Sequence, residues 1–192
     1  MKKFLAVSAA ALLVFAGVKT NAAAQGNASK TLVGKKVLTV YYSRSGTTKE
    51  VAKQIQAYAG GGIFEIQTAK PYPENYDSLL KEAKKEIANG HKPELKTKID
   101  IKDYEIIFVG SPNWWGTIAP AVSSFLSSGD FSGKIVVPFN TNGGGGAQKC
   151  FEDVKKLLPK STVLEGKAFS ARNADSQAKE ISEWISKLSL NK

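Results

Sequence analysis

A chain of 192 residues with a single cysteine and a single histidine cannot close an internal disulfide, and it argues against a zinc-type site. Its net charge of +10 raises nucleic acid, an anionic envelope surface or an acidic protein as partners. The lysines from Lys81 to Lys102 are interleaved with Glu82, Glu86, Glu94 and Asp100, the pattern of a solvated face, so no nucleic acid partner is expected.

The first predicted element is a secretory signal over residues 1–24. Lys2 and Lys3 precede an apolar run from Phe4 to Val18, and Ala22, Ala23 and Ala24 form a small-residue cleavage site. The run is shorter than the roughly 20 residues of a membrane span, and no cysteine follows it to carry a lipid. Cleavage after Ala24 leaves 168 residues, with 24 basic against 17 acidic side chains and a balance of +7. The chain is therefore expected to be exported, periplasmic or secreted, without stable membrane insertion after cleavage. That length suits one domain with a full core.

Residues 25–34 read as a polar, flexible tether, and a folded domain is expected over 35–192. "KVLTVYYS" is strand-like. Thr47 to Ala59 carries Val51, Ile55 and Tyr58 at helical spacing and is ended by Gly60, Gly61 and Gly62. "GIFEIQT" is a second strand. Pro71 and Pro73 break the chain before a helix predicted from Tyr76 to Asn89, which Gly90 stops.

"YEIIFVGSP" is almost wholly apolar, as a strand covered on both faces must be. "TIAPAVSSFLSS" reads as a helix with Pro120 in its first turn. "KIVVPFNTN" is another buried strand. A glycine run then leads to a helix striped by Ala147, Phe151, Val154 and Leu158, with Cys150 beside the stripe as a small buried hydrophobe rather than a redox thiol. "STVLEGKAF" is a weaker fifth strand, and the last helix shows Ala178, Ile181, Ile185 and Leu188 on one face. Strands alternating with helices imply a parallel sheet with helices on both faces, whose ligands sit beyond the carboxyl ends of the strands.

Three unusual loops fall at that edge. The first is Ser43, Arg44, Ser45, Gly46, Thr47 and Thr48. Thr47 and Glu50 have the spacing of a capping box, whereas the hydroxyls and Gly46 also suit a phosphate held at a helix N-terminus. Both alternatives stand at this level, and Arg44 is either a phosphate partner or a solvated loop residue. The sequence lacks the G-x-x-x-x-G-K-[ST] pattern of a triphosphate loop, so a single phosphate monoester fits better.

The second loop, Pro112, Asn113, Trp114, Trp115 and Gly116, puts two flat apolar side chains where little core is expected. One can stack on a planar heterocycle, the other can pack beneath the loop, and Gly116 can turn its peptide to offer C=O or N–H to a ring atom. The third loop, Thr141, Asn142, Gly143, Gly144 and Gly145, is either a set of backbone donors for the same ring or a flexible linker. His91 follows Gly90 in a polar loop and reads as structural.

Together these residues resemble the flavodoxin family. Ser43, Ser45, Gly46 and Thr48 match its [TS]-x-[TS]-G-x-T phosphate motif, and "GSPNWWGTIAPAVSSFL" is similar to the isoalloxazine loop of a branch with P-x-W-W-G. "PYPENYDSLLKEAKKEIANGHKPEL" is similar to a segment of that branch, and the resemblance runs from about Lys36 to Leu190. It implies a flavodoxin-like doubly wound α/β fold, with a five-stranded parallel sheet in the order 2-1-3-4-5 and FMN bound noncovalently. By the same resemblance Ser43 to Thr48 would hold the phosphate, Pro112 to Gly116 the dimethylbenzene and N5 side, and Thr141 to Gly145 the opposite ring edge, with Trp115 stacking. The function implied is electron transfer in the cell envelope with a redox partner protein. The alternatives are an NAD(P)H-dependent FMN or quinone reductase and a flavin-binding module without redox role. Family carriers that serve cytoplasmic reductases are usually acidic, so this basic chain calls for a different partner, as yet unidentified.

Overall fold

Alternation in β3 (Ile106–Trp114) sets the layering of the molecule. Successive side chains of a strand point to opposite faces. Ile106 and Phe108 accordingly join one buried cluster with Val51, Ile55, Ile181 and Ile185. Ile107 and Val109 join the other, with Val122, Phe125 and Val154. A strand with a core on each face has no polar side to show, which is why its sequence is an unbroken apolar run.

The computed structural model describes residues 32–190. The predicted signal segment and most of the tether lie outside the described residues. Leu32, near the end of the segment read as a tether, packs into the core that contains Val37.

The remaining elements in chain order are β1 (Val37–Tyr41), α1 (Thr47–Ala59), β2 (Gly62–Glu65), α2 (Tyr76–Ala88), then β3 and β4 (Thr117–Ile118). They continue through α3 (Pro120–Ser128), β5 (Ile135–Asn142), α4 (Cys150–Leu157), β6 (Thr162–Val163), β7 (Lys167–Ser170) and α5 (Ala178–Ser186). Pro120 sits at the start of α3, where its missing N–H has no intrahelical acceptor to lose. Asn75 caps α2 by accepting from the Ser78 N–H at 3.0 Å.

Among the described residues the sheet has seven strands rather than the five expected, with the path β2-β1-β3-β5-β6, β4 paired to β3 and β7 paired to β5. Two local causes account for the difference. β4 is a two-residue antiparallel addition that turns the end of β3 into a hairpin. The predicted fifth strand is split into β6 and β7, which pair with β5 at 135–136 and at 139–142. The gap faces Pro138, which has no N–H to give a ladder. The register moves from Val136↔Val163 to Phe139↔Lys167 across it, one extra residue on the edge strand, as in a bulge.

On the closing helix Ile181, Ile185 and Leu188 are buried as expected, but Ala178 is exposed, because it lies at the first turn, beyond the packed face. Cys150 is fully buried, and burial pushes its thiol up to about 11. We expect a disulfide-exchange reagent at neutral pH to label it only through global opening. Its labelling rate should follow the unfolding equilibrium in urea, since both access and thiolate are withheld in the fold.

Candidate functional site

The first loop leaves β1 and enters α1 without a cap. Gly46 precedes the helix at φ 89°, and no side chain bonds the helix N-terminus. The capping box, one of the two alternatives for Thr47 and Glu50, is therefore not formed. Thr47 is already helical, its hydroxyl lies 3.1 Å from that of Ser45, and the Glu50 carboxylate turns outward to Lys53 at 3.6 Å. A left-handed residue at the cap position suits glycine and aims the chain away from the geometry a capping hydroxyl needs. The first N–H groups of α1 thus remain available at the positive end of its dipole.

Two further features belong to this loop. The Ser43 hydroxyl is buried and has no hydrogen-bond partner among the described residues, a costly state unless a ligand supplies one. The buried Thr48 and Thr141 hydroxyls lie 2.8 Å apart and join the first loop to the end of β5. Two hydroxyls carry two protons and their mutual bond uses one, so the pair retains a donor. Arg44 is exposed and donates to the carbonyls of Pro73, at 3.4 Å, and Glu74, at 2.5 Å, tying the loop to the segment before α2.

The second loop is a hairpin tip. Pro112, Asn113 and Trp114 are still in β3, and Asn113↔Ile118 and Trp114↔Thr117 pair across it. Trp115 and Gly116 make the turn with φ of 53° and 86°, both positive, as tight two-residue hairpins demand. Glycine adopts this freely, but tryptophan pays about 1–2 kcal/mol. The two indoles divide as the sequence allowed. Trp114 packs edge-on against Tyr42 and Tyr72, with ring centroids at 5.6 and 5.0 Å, whereas Trp115 is 54% exposed.

Gly116 is bonded on both sides in the ligand-free chain. Its N–H donates to Asn113 Oδ1 at 3.0 Å and its C=O accepts from the Lys149 N–H at 2.9 Å. The two groups belong to the peptide units before and after Gly116, so turning either unit over breaks one of these bonds, while the carbonyl keeps a second lone pair for a further donor.

In the third loop, Thr141 and Asn142 end β5, and Gly143, Gly144 and Gly145 follow. It is organised rather than a slack linker. Asn142 Oδ1 accepts from the N–H groups of Gly144 and Gly146, both at 3.0 Å, and its Nδ2 donates to the Phe169 carbonyl at 3.1 Å. The Asn113 amide also donates to the Gly146 carbonyl at 2.9 Å, joining the second loop to the third. Replacing Asn142 by alanine removes three bonds at about 0.5–1.5 kcal/mol each. We expect a loss of about 1.5–4.5 kcal/mol in urea unfolding and faster hydrogen exchange at Gly144 and Gly146.

Two hollows open at this edge. One, of about 670 Å³, lies between Trp115 and Gly116 on one side and Asn142, Gly143 and Gly145 on the other. The other, of about 760 Å³, lies beside Ser43 and Arg44 and is walled by Tyr42, Tyr72 and Pro73. The ring-type residues therefore line one hollow and Ser43 and Arg44 the other, while the Thr48–Thr141 pair joins the first loop to the end of β5. Gln148 and Lys149, which line the first hollow, and Tyr42 and Tyr72 were not singled out from the sequence. The adjacency of "YYS" to the hydroxyl loop was the one available signal for Tyr42.

Among the described residues no group of three or more histidine, cysteine, aspartate or glutamate side chains could hold a metal ion, and no helix is long and apolar enough to cross a membrane. Comparison with known proteins gives a consistent result. A family model described as flavodoxin matches residues 36–188. A solved structure described as a flavoprotein from Bacteroides uniformis ATCC 8492 superposes with a TM-score of 0.72 at 28% identity, covering 80% of this chain and 99% of that one. A flavoprotein from Lactobacillus acidophilus NCFM, solved in complex with FMN, has a TM-score of 0.60 at 26% identity, covering 77% and 99%. A curated relative from Azorhizobium caulinodans, named NAD(P)H dehydrogenase (quinone), is 28% identical over 148 residues, 70% of this chain and 72% of the relative.

Proposed function

The chain belongs to the flavodoxin family, and on that premise we propose that it binds FMN at the carboxyl edge of its sheet and transfers electrons in the cell envelope. The observation that carries the proposal is the unpartnered, buried Ser43 hydroxyl beside an α1 N-terminus that no side chain caps. A phosphate monoester satisfies both at once. The relative solved with FMN supports the same cofactor.

Bound FMN supplies reversible one- or two-electron chemistry, and the protein supplies binding, orientation and electrostatics. Ser43, Ser45 and the first N–H groups of α1 would hold the phosphate, with the spare proton of the Thr48–Thr141 pair beside them. Trp115 offers an exposed indole for stacking, while the engaged Gly116 peptide fixes the hairpin tip and the Asn142-ordered glycines set the opposite wall. The proposed envelope location rests on the signal-like residues 1–24. Protein recovered from the envelope or medium should begin at Gln25, and a full-length N-terminus retained in the cytoplasm would refute export.

A second proposal, a quinone reductase, is favoured by the curated relative's name. Steady-state assays separate the two. A carrier loaded with FMN shows no sustained NADH or NADPH oxidation with a quinone present, whereas multiple turnovers establish the reductase.

A further inference from the structure

We propose that the tip of the β3–β4 hairpin, with Trp115 at its apex and Lys84 and Lys149 beside it, is the docking surface for a protein partner that presents a patch of carboxylates. The proposal deepens the electron-transfer reading and rests on it only in placing electron exchange at this hollow.

Three observations converge on the tip. Trp115 is 54% exposed and is held at φ 53° by the turn, so the fold displays a large apolar side chain at a position it would adopt only under strain. Lys84 of α2 lies with Nζ 5.1 Å from the Trp115 ring centroid. Lys149 is exposed, lines the same hollow and is tied to the tip through its N–H bond to the Gly116 carbonyl.

The charge at the tip is uncompensated. Among the described residues neither Lys84 Nζ nor Lys149 Nζ has a carboxylate within ion-pair distance. The acids close by are taken up elsewhere. Asp153 accepts from Thr117 at 2.6 Å and pairs with Lys156 at 3.4 Å, Glu86 accepts from Tyr72 and faces His91 at 3.6 Å, and Glu82 faces Lys70 at 3.9 Å. Lys84, held over the Trp115 ring, and Lys149, neither with a carboxylate partner, match a partner whose contact surface is acidic. The positive balance of the whole chain steers such a partner from a distance, but only the tip offers the indole with it.

The test uses poly-L-glutamate as the acidic probe and phosphatidylglycerol vesicles as the membrane probe, with the protein studied both without and with FMN. Affinity is read by tryptophan fluorescence at low salt. The double variant Lys84→Glu/Lys149→Glu should weaken poly-L-glutamate binding by about tenfold or more. Lys102→Glu/Lys160→Glu, which carries the same net charge and changes two exposed lysines at the opposite end of the strands, should weaken it by less than about threefold. Trp115→Ala should weaken it with both lysines intact. Circular dichroism confirms that each variant is folded.

Equal weakening by the two double variants would mean that net charge alone is felt, and would overturn the proposal. So would absence of poly-L-glutamate binding, or binding to vesicles alone through the tip lysines, which would make the occupant a membrane. Poly-L-glutamate binding requires no flavin, so a failure of FMN to bind would strike the cofactor proposal and leave this result standing.

Discussion

Ser43→Ala should stabilise the unliganded protein while weakening FMN. In the free protein the hydroxyl is buried without a partner, so its removal discards a desolvated polar group and should raise unfolding stability by about 1 kcal/mol. In the loaded protein the same change removes a hydrogen bond to a phosphate, and bonds to charged groups contribute about 1.5–3 kcal/mol, or roughly tenfold to hundredfold in the dissociation constant. Riboflavin lacks the phosphate and should bind both forms equally. Opposite signs for stability and FMN affinity are the signature of a group placed for a ligand. A merely structural serine would lower stability and affect the two flavins alike.

The largest effect on folding is expected at Gly110. This residue lies in β3 between Tyr41 of β1 and Phe139 of β5, and a Cβ built there would stand 2.2 Å from Phe139 Cζ, with two more ring atoms within 2.8 Å. Phe139 is 1% exposed and sits in the core shared with α1 and α5, so the ring has no empty space to enter. Overpacking of this kind costs about 3 kcal/mol or more, a large part of the roughly 5–15 kcal/mol that holds a domain together. Gly110→Ala should therefore lower the urea midpoint sharply. Phe139→Ala alone should also cost about 3–5 kcal/mol, but Gly110→Ala/Phe139→Ala should cost less than the sum of the two, because the truncated side chain leaves room for the new Cβ. Additive costs in that cycle would show that the two positions do not meet.

Much of this architecture was legible because burial on two faces writes an unmistakable pattern. The span Thr47 to Ala59 was bounded correctly by its apolar spacing and the glycines after it. Positions decided by tertiary context were less legible. The capping box failed because Gly46 takes a left-handed conformation, which no spacing rule reports. The split of the last strand depends on what stands opposite Pro138 in the sheet, a neighbour nearly 30 residues away in sequence.

The three loops were identified from their composition, yet their internal bonding was not. "NTNGGGG" looks slack until Asn142 is seen holding two of its N–H groups. The residues of "WWG" left open which indole packs, and the resemblance pointed to Trp115 for stacking; strand alternation puts Trp114 against Tyr42 and Tyr72 and leaves Trp115 at the turn. Lys84 and Lys149 read as ordinary surface charges, because only the fold brings them to one hairpin tip.

The central claim is that the β1–α1 loop holds a phosphate, and the dissociation constants of the purified, flavin-free protein for FMN and riboflavin test it most directly. An uncapped helix N-terminus with one unpartnered hydroxyl predicts FMN about a hundredfold tighter or more, through two or three charge-assisted bonds that riboflavin cannot make. Equal affinity for the two flavins would contradict it.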